Sequence, residues 1–499
     1  MNIKQAKNHI KNTLKAYLTK DGFGNYLIPS VRQRPVLLIG PPGIGKTQIM
    51  EQIASEEGVG LVSYTITHHT RQSAMGLPFI SKQLFGGVEY TVTEYTMSEI
   101  IGSVYRLMEN TGIREGILFL DEINCVSETL SPMMLQFLQC KTFGNQKLPE
   151  GWLIVAAGNP PEYNKSVREF DVVTLDRVRK ITVEEDYGVW KEYALQRGLH
   201  GAVISYLDLK KDNFYRMENT PEGMQFATAR GWEDLSEIIY AYEKLSIPVD
   251  FDAVSQYISL PEVARDFAAY LSLYYKYNET WHIDEILAGT WSKVTAADFT
   301  AAPMDEKIAV MSLLLAGISD EARKVRFEDA VADALYASLT EVKNAGDGMS
   351  LKERLHEEAQ KGREELKRRH DAGQNDRIAA AVLQKKILLL EEFEKEQNPT
   401  DAKEQGMERI REKFSRITDA AEELAGKTAN TFENVFQFLE QSVGQSQELV
   451  IFLTEVTAGY DTSWFIGEYG CDAYYRHNKE LLFTDRRRDL MSRIAREKL

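Results

Sequence analysis

PVLLIGPPGIGKTQIMEQIA, residues 35–54, decides how the rest of the chain is read. Val36-Leu37-Leu38-Ile39 is a short unbroken apolar run, the pattern of a strand buried on both faces of a parallel sheet. Gly40-Pro41-Pro42-Gly43-Ile44-Gly45-Lys46-Thr47 then fits G-x-x-x-x-G-K-[ST] at every fixed position, and Gln48 to Ala54 continues with helical spacing of apolar residues. Glycines in such a loop let backbone N–H groups close around phosphate oxygens, and the N-terminus of the following helix adds partial positive charge. Gly40, Pro41, Pro42, Gly43, Ile44, Gly45, Lys46, Thr47 and Gln48 are therefore the expected phosphate-binding positions. Lys46 suits the β- and γ-phosphates of a nucleotide, and the Thr47 hydroxyl suits Mg²⁺.

A second half of the site appears downstream. GILFLDEIN, residues 116–124, reads as an apolar strand ending in two carboxylates. Asp121 is the expected metal carboxylate. Glu122, one residue on, points elsewhere and suits the general base that polarises an attacking water. WLIVAAGNPPEYN, residues 152–164, is a third buried strand, stopped at Asn159 by two prolines. The Asn159 amide is suited to the γ-phosphate or to the attacking water. VVTLDRVRKI, residues 172–181, opens like a strand and places Arg177 and Arg179 either side of Val178. In an extended segment those two side chains share one face.

Taken in order, these elements resemble the AAA+ ATPases, and within them the MoxR family. The stretch from Asp121 to Asn164 is similar to that family's run from DEIN through a helix and a hairpin to NP-x-EY. SAMGLP, residues 73–78, resembles its D-x-x-G-x-P segment, with Ala74 in place of a more polar residue. LDRVRKI resembles its LDRF segment, with Val178 in place of an aromatic. The likeness covers roughly residues 30–245. It implies ATP as the nucleotide, which the loop residues by themselves do not distinguish from GTP. It also implies that Arg177 is an arginine finger reaching a neighbouring subunit's nucleotide, with Arg179 the alternative. Arg230, in the first turn of a helix capped near Thr228 within residues 226–245, resembles the sensor 2 arginine. Such a cation opposes the helix dipole, a cost that function can justify. The loops at 73–96 and 140–151 correspond to pore-directed insertions. The family further implies a homo-oligomeric ring, a hexamer, acting as a chaperone in remodelling or metal-cofactor maturation of protein complexes. It also implies a von Willebrand factor A partner, which this chain does not itself carry.

The expected fold is an α/β AAA+ P-loop core with a parallel sheet, then an α-helical lid and a further all-α region. The boundaries are 1–30 for an N-terminal helix and lead-in, 31–185 for the core, 186–300 for the lid and 301–499 for the C-terminal helices. Strands are expected at 35–39, 60–66, 116–121, 152–158 and 180–184. Near 350–397 a charged helical hairpin is expected, broken at DAGQND and ended at Asn398-Pro399. In residues 351–400, 22 of 50 are Asp, Glu, Lys or Arg, with both signs mixed. The end of the chain, 485–499, is locally basic.

Composition limits the alternatives. A chain of 499 residues is too long for one core. A net charge of -16 disfavours a nucleic-acid motor, the main competing class, because phosphate neutralisation needs a basic face. An ATP-gated scaffold with slow turnover is a third class. Three cysteines without pair or metal spacing suit a reducing compartment. His68-His69 lacks partners at metal spacing. No leader-like or membrane-spanning apolar run is seen, so a cytoplasmic protein without membrane contact is expected.

Overall fold

Strand formation follows the apolar runs. Val36–Ile39 forms β1 and Gly60–Thr65 forms β2. Pro78–Phe85 (β3) and Val88–Tyr95 (β4) make a hairpin. Gly116–Asp121 is β5, Thr142–Phe143 and Gln146–Lys147 are the short β6 and β7, and Trp152–Gly158 is β8. Arg179–Thr182 is β9. The computed structural model describes residues 1–479 except 69–71, 73, 75, 144–145, 164–166, 168–169, 171, 221–222, 345–348, 375 and 398–402, and except the side chains of 68, 173 and 403. His69, parts of both insertion loops, Asn398-Pro399 and the basic end at 485–499 lie outside the described residues.

Five strands form one sheet in the order β2-β5-β8-β1-β9, and every pairing in it is parallel. Because both faces of such a sheet are covered, its strands are continuous apolar runs rather than alternating ones. All seven residues of β8 are buried. β1 lies between β8 and β9, with Leu38 opposite Ala157 on one side and Ile181 on the other. Leu37, Leu118, Leu120, Ile154 and Ala156 pack with Ile100, Ile101, Val104 and Leu107 of helix Glu99–Thr111. That helix starts where Ser98 Oγ accepts the Ile101 N–H, and stops at Gly112, whose φ of 72° only glycine adopts freely.

Helix Ile3–Leu18 lies against Gln48–Glu57, the helix that the phosphate loop opens. Its Lys7, Lys11 and Lys15 fall at i, i+4 and i+8, and they meet Glu56 and Glu57 at 2.6–3.2 Å. Solvent screens exposed pairs of this kind, so they add little to stability. Ala6, Ile10 and Leu14 of the same helix are buried.

The chain divides into two compact units, residues 1–189 with 360–384, and 190–359 with the chain from 385 onward. The first contains the sheet. In the second, helices Met304–Asn344 and Lys403–Val443, 41 residues each, share one core with shorter helices. Phe299, Leu314, Ile318, Phe432, Phe436, Phe438, Phe452 and Phe465 fill that core. Helices Leu351–Asp371 and Arg377–Lys395 form the charged hairpin. No helix among the described residues is long and apolar enough to cross a membrane.

Two local expectations are corrected. Val172-Val173-Thr174 does not begin a strand but opens helix Val172–Arg177. β-Branched residues favour strands only where a pleated neighbour receives them, and here burial of Thr174 in a short helix prevails. Residues 186–300 are not wholly helical: Arg216–Thr220 (β10) and Gly223–Ala227 (β11) pair as an antiparallel hairpin. The run Thr-Pro-Glu-Gly at 220–223 is a turn signal that a helical reading passes over.

Candidate nucleotide-binding site

The parallel sheet brings the C-terminal ends of β1, β5 and β8 side by side, where ligands of open α/β sheets bind. Residues 40–47 leave β1 as a loop and feed helix Gln48–Glu57. Gly43 and Gly45 have φ of 74° and 90°, conformations that side chains with a Cβ rarely adopt. Gly40 is needed for a different reason. A Cβ there would lie 2.7 Å from the Val183 carbonyl oxygen, so the loop closes against the chain that follows β9. Pro41 and Ile44 are buried, while Pro42 and Gln48 are half-buried.

Lys46 is only 8% exposed. Its ammonium donates to the carbonyls of Gly40 (2.7 Å) and Pro41 (2.8 Å) and to Asn159 Oδ1 (2.9 Å). The last bond joins the phosphate loop to the end of β8, a span of 113 residues. Thr47 Oγ1 donates to Asp121 Oδ2 at 3.2 Å, joining the loop to the end of β5. Hydroxyl and carboxylate oxygens are the hard donors that Mg²⁺ selects, so this pair fits that ion.

Asp121 and Glu122 diverge, as two successive residues at a strand end should. Glu122 takes φ of 57°, which costs a non-glycine residue roughly 1–2 kcal/mol. Its N–H donates to Asp121 Oδ1 at 2.9 Å, while its own carboxylate accepts from Thr67 Oγ1 at 2.7 Å. Held left-handed strain of this kind concentrates at functional sites. Burial, and after it the Glu122 and Asp121 carboxylates, push the Cys125 thiol up, as expected beside concentrated negative charge.

Two further residues shape the site, neither of them assigned a role from the sequence. Thr67 follows β2 and holds Glu122. Asn124 is buried, and its Nδ2 donates to the Asn159 carbonyl at 2.7 Å. It fits because residue 158 is glycine, where a Cβ would stand 2.4 Å from Asn124 Oδ1. The signal for Asn124 was its place in DEIN. Thr67 has no local signal, because its partner is 55 residues away.

The arginines behave differently. Arg177 is exposed at the end of helix Val172–Arg177 and donates to Gln139 Oε1. Arg179 opens β9, and its Nη1 donates to Thr13 Oγ1 at 2.6 Å in the N-terminal helix. The helix ending at Arg177 removes the shared extended face expected for the pair. Arg230 belongs to the other unit, exposed in the first turn of helix Ala229–Leu245. That helix is capped by Thr228 Oγ1, which accepts the Gly231 N–H at 3.2 Å. Among the described residues no group of three or more His, Cys, Asp or Glu is placed to hold a metal ion.

No curated protein matches the chain. Residues 36–175, from the first residue of β1 into the helix that ends at Arg177, match the family model described as ATPase family associated with various cellular activities (AAA). Over that span the chain is similar to an AAA ATPase domain, and the likeness supports a nucleotide-binding AAA+ ATPase.

Proposed function

We propose that this chain hydrolyses Mg-ATP as an AAA+ ATPase of the MoxR kind, working in a homo-oligomeric ring, a hexamer, on protein complexes in the cytoplasm. The observation that carries the reading is the Lys46 ammonium held between the loop carbonyls and Asn159 Oδ1, beside Thr47 and Asp121. One lysine there meets both a phosphate-binding loop and a polar strand end. Lys46 and the loop N–H groups bind the phosphates, and Asn159 orients the γ-phosphate or the water. Glu122 takes the proton of the attacking water once its carboxylate leaves Thr67. Thr47 and Asp121 hold Mg²⁺, which neutralises charge on the phosphates when bound. Arg177 is exposed on its own subunit and is supplied to the next one, where a guanidinium stabilises charge developing on the γ-phosphate. Arg230 acts as the sensor of the second unit. The client is a protein assembly matured or remodelled by the ring, with a von Willebrand factor A partner supplied by another polypeptide.

Mixed assembly tests this division of labour. Glu122→Gln and Arg177→Ala are each expected to lose hydrolysis by about 10²-fold or more while retaining ATP. Co-assembled at equal amounts, they regain up to roughly a quarter of wild-type turnover, the share of interfaces pairing an intact Glu122 with an intact Arg177. A mixture no more active than its parts removes Arg177 from the neighbour's site.

A further inference from the structure

Asn159 is held from two sides. Its side-chain oxygen accepts from Lys46 Nζ at 2.9 Å, and its backbone carbonyl accepts from Asn124 Nδ2 at 2.7 Å. Strand order explains the two directions, because β8 lies between β5 and β1. Lys46 comes from the β1 side and is the lysine that serves the phosphates, so an entering nucleotide draws on its bond. Asn124 comes from the β5 side. Directly after Asn159, Pro160 and Pro161 bring no N–H with which to tie the segment down.

Asn124 is itself fixed. It is buried, and the backbone on either side of it is bonded. The Ile123 N–H donates to the Ala157 carbonyl and the Cys125 N–H to the Glu122 carbonyl, both at 2.9 Å. The amide has one orientation: a carbonyl only accepts, so Nδ2 must face Asn159. Oδ1 then faces Gly158, where the lack of a Cβ leaves room for it.

Hydrolysis asks more of Asn159 than binding does. A water taken by Glu122 and ordered by Asn159 must lie within hydrogen-bond reach of both, about 2.6–3.2 Å from each. Glu122 follows β5 and Asn159 follows β8, so the gap between them depends on how the two strand ends are tied beyond the sheet. The Ile123 N–H and Asn124 Nδ2 both tie those ends, one to Ala157 and one to Asn159 itself. We propose that Asn124 is a positioning residue for hydrolysis, one that acts through Asn159. It keeps the Asn159 amide aimed at the γ-phosphate or the water after Lys46 has turned to the phosphates. Lys46 thereby serves binding, and Asn124 serves the chemical step. This rests on the role of Asn159 proposed above.

Two substitutions test it in the full chain. Asn124→Asp keeps the shape but turns an oxygen toward the Asn159 carbonyl, and Asn124→Ala removes the amide. Steady-state turnover gives kcat and KM for Mg-ATP, and a fluorescent ATP analogue gives Kd. Both variants are expected to lower kcat by roughly 10- to 100-fold, the size of loss that a displacement of about 1 Å brings. Kd for the analogue stays within about twofold of the parent, since the phosphate loop is untouched. In an Asn159→Ala chain, Asn124→Ala costs less than about twofold further, because no amide is left to aim. A variant that keeps the parent's kcat overturns the proposal, whether or not it binds the analogue more weakly. Losses that multiply in the double variant overturn it too. Full turnover by Asn159→Ala alone overturns the role given to Asn159, and the positioning role falls with it.

Discussion

Replacing Lys141 with methionine is expected to change how stability depends on pH. Lys141 follows helix Ser131–Cys140, is 3% exposed, and takes a left-handed φ of 56°. Its Nζ donates to the Gln33 amide oxygen at 3.2 Å, tying the segment before β1 to the base of the β6–β7 hairpin. Burial, with the Lys147 charge second, lowers its pKa from 10.5 to about 8. That fall corresponds to roughly 3 kcal/mol held against the charged form. Below about pH 8 folded and unfolded chains both keep the proton, and the full cost of the buried charge is present. Between about pH 8 and 10.5 the unfolded chain binds more protons than the folded one, so stability rises with pH across that window. Methionine fills similar space with no charge, but leaves the Gln33 oxygen without this donor, at a cost of about 1–3 kcal/mol. At pH 7 Lys141→Met should therefore equal the parent or exceed it by up to about 2 kcal/mol. By pH 10 the balance should have moved toward the parent by roughly 2–3 kcal/mol. Thermal unfolding of both proteins side by side at several pH values measures this difference, because titrations common to both cancel. A difference that stays flat from pH 7 to 10 would refute the buried, proton-losing lysine.

Gly40→Ala should weaken ATP binding by about tenfold or more. The new Cβ meets a backbone oxygen 2.7 Å away that cannot rotate aside, and overpacking of this kind costs about 1–3 kcal/mol. A fluorescent ATP analogue reads the loss, and Gly22→Ala, with nothing within 4 Å of its Cβ, is the matched control. Asp461→Asn should lower the unfolding midpoint by roughly 10 °C. Asp461 is 2% exposed and accepts from Arg323 Nε at 2.9 Å and Arg326 Nε at 2.7 Å, so the change removes the charge that the two guanidiniums share and leaves Arg323 with Asp320. A midpoint within a degree of the parent would show that the cluster contributes nothing.

What could be read along the chain is what neighbouring residues decide among themselves. The apolar runs at 36–39, 116–121 and 152–158 are strands because a strand covered on both faces has no need to alternate. The polar residues at the ends of those runs, Lys46 and Thr47 in the loop after β1, Asp121 as the last residue of β5 and Asn159 after β8, meet because a parallel sheet puts all its C-terminal ends on one edge. Local preference misled where packing outweighed it, as at Val172–Arg177, and where a weak hairpin lay inside helical surroundings, at 216–227.

The sequence by itself determined the α/β core and which side chains its loops present, since periodicity, glycine placement and strand-ending residues are local properties. Only the tertiary structure decided that Thr67 holds Glu122, that Asn124 braces Asn159, that Lys141 is buried on Gln33, and that Ala372 covers β2. Each of these joins groups 35 or more residues apart. A hydroxyl or an amide is the same residue in the sequence whether it meets water or a carboxylate, and the packing of the sheet and its helices selects between them.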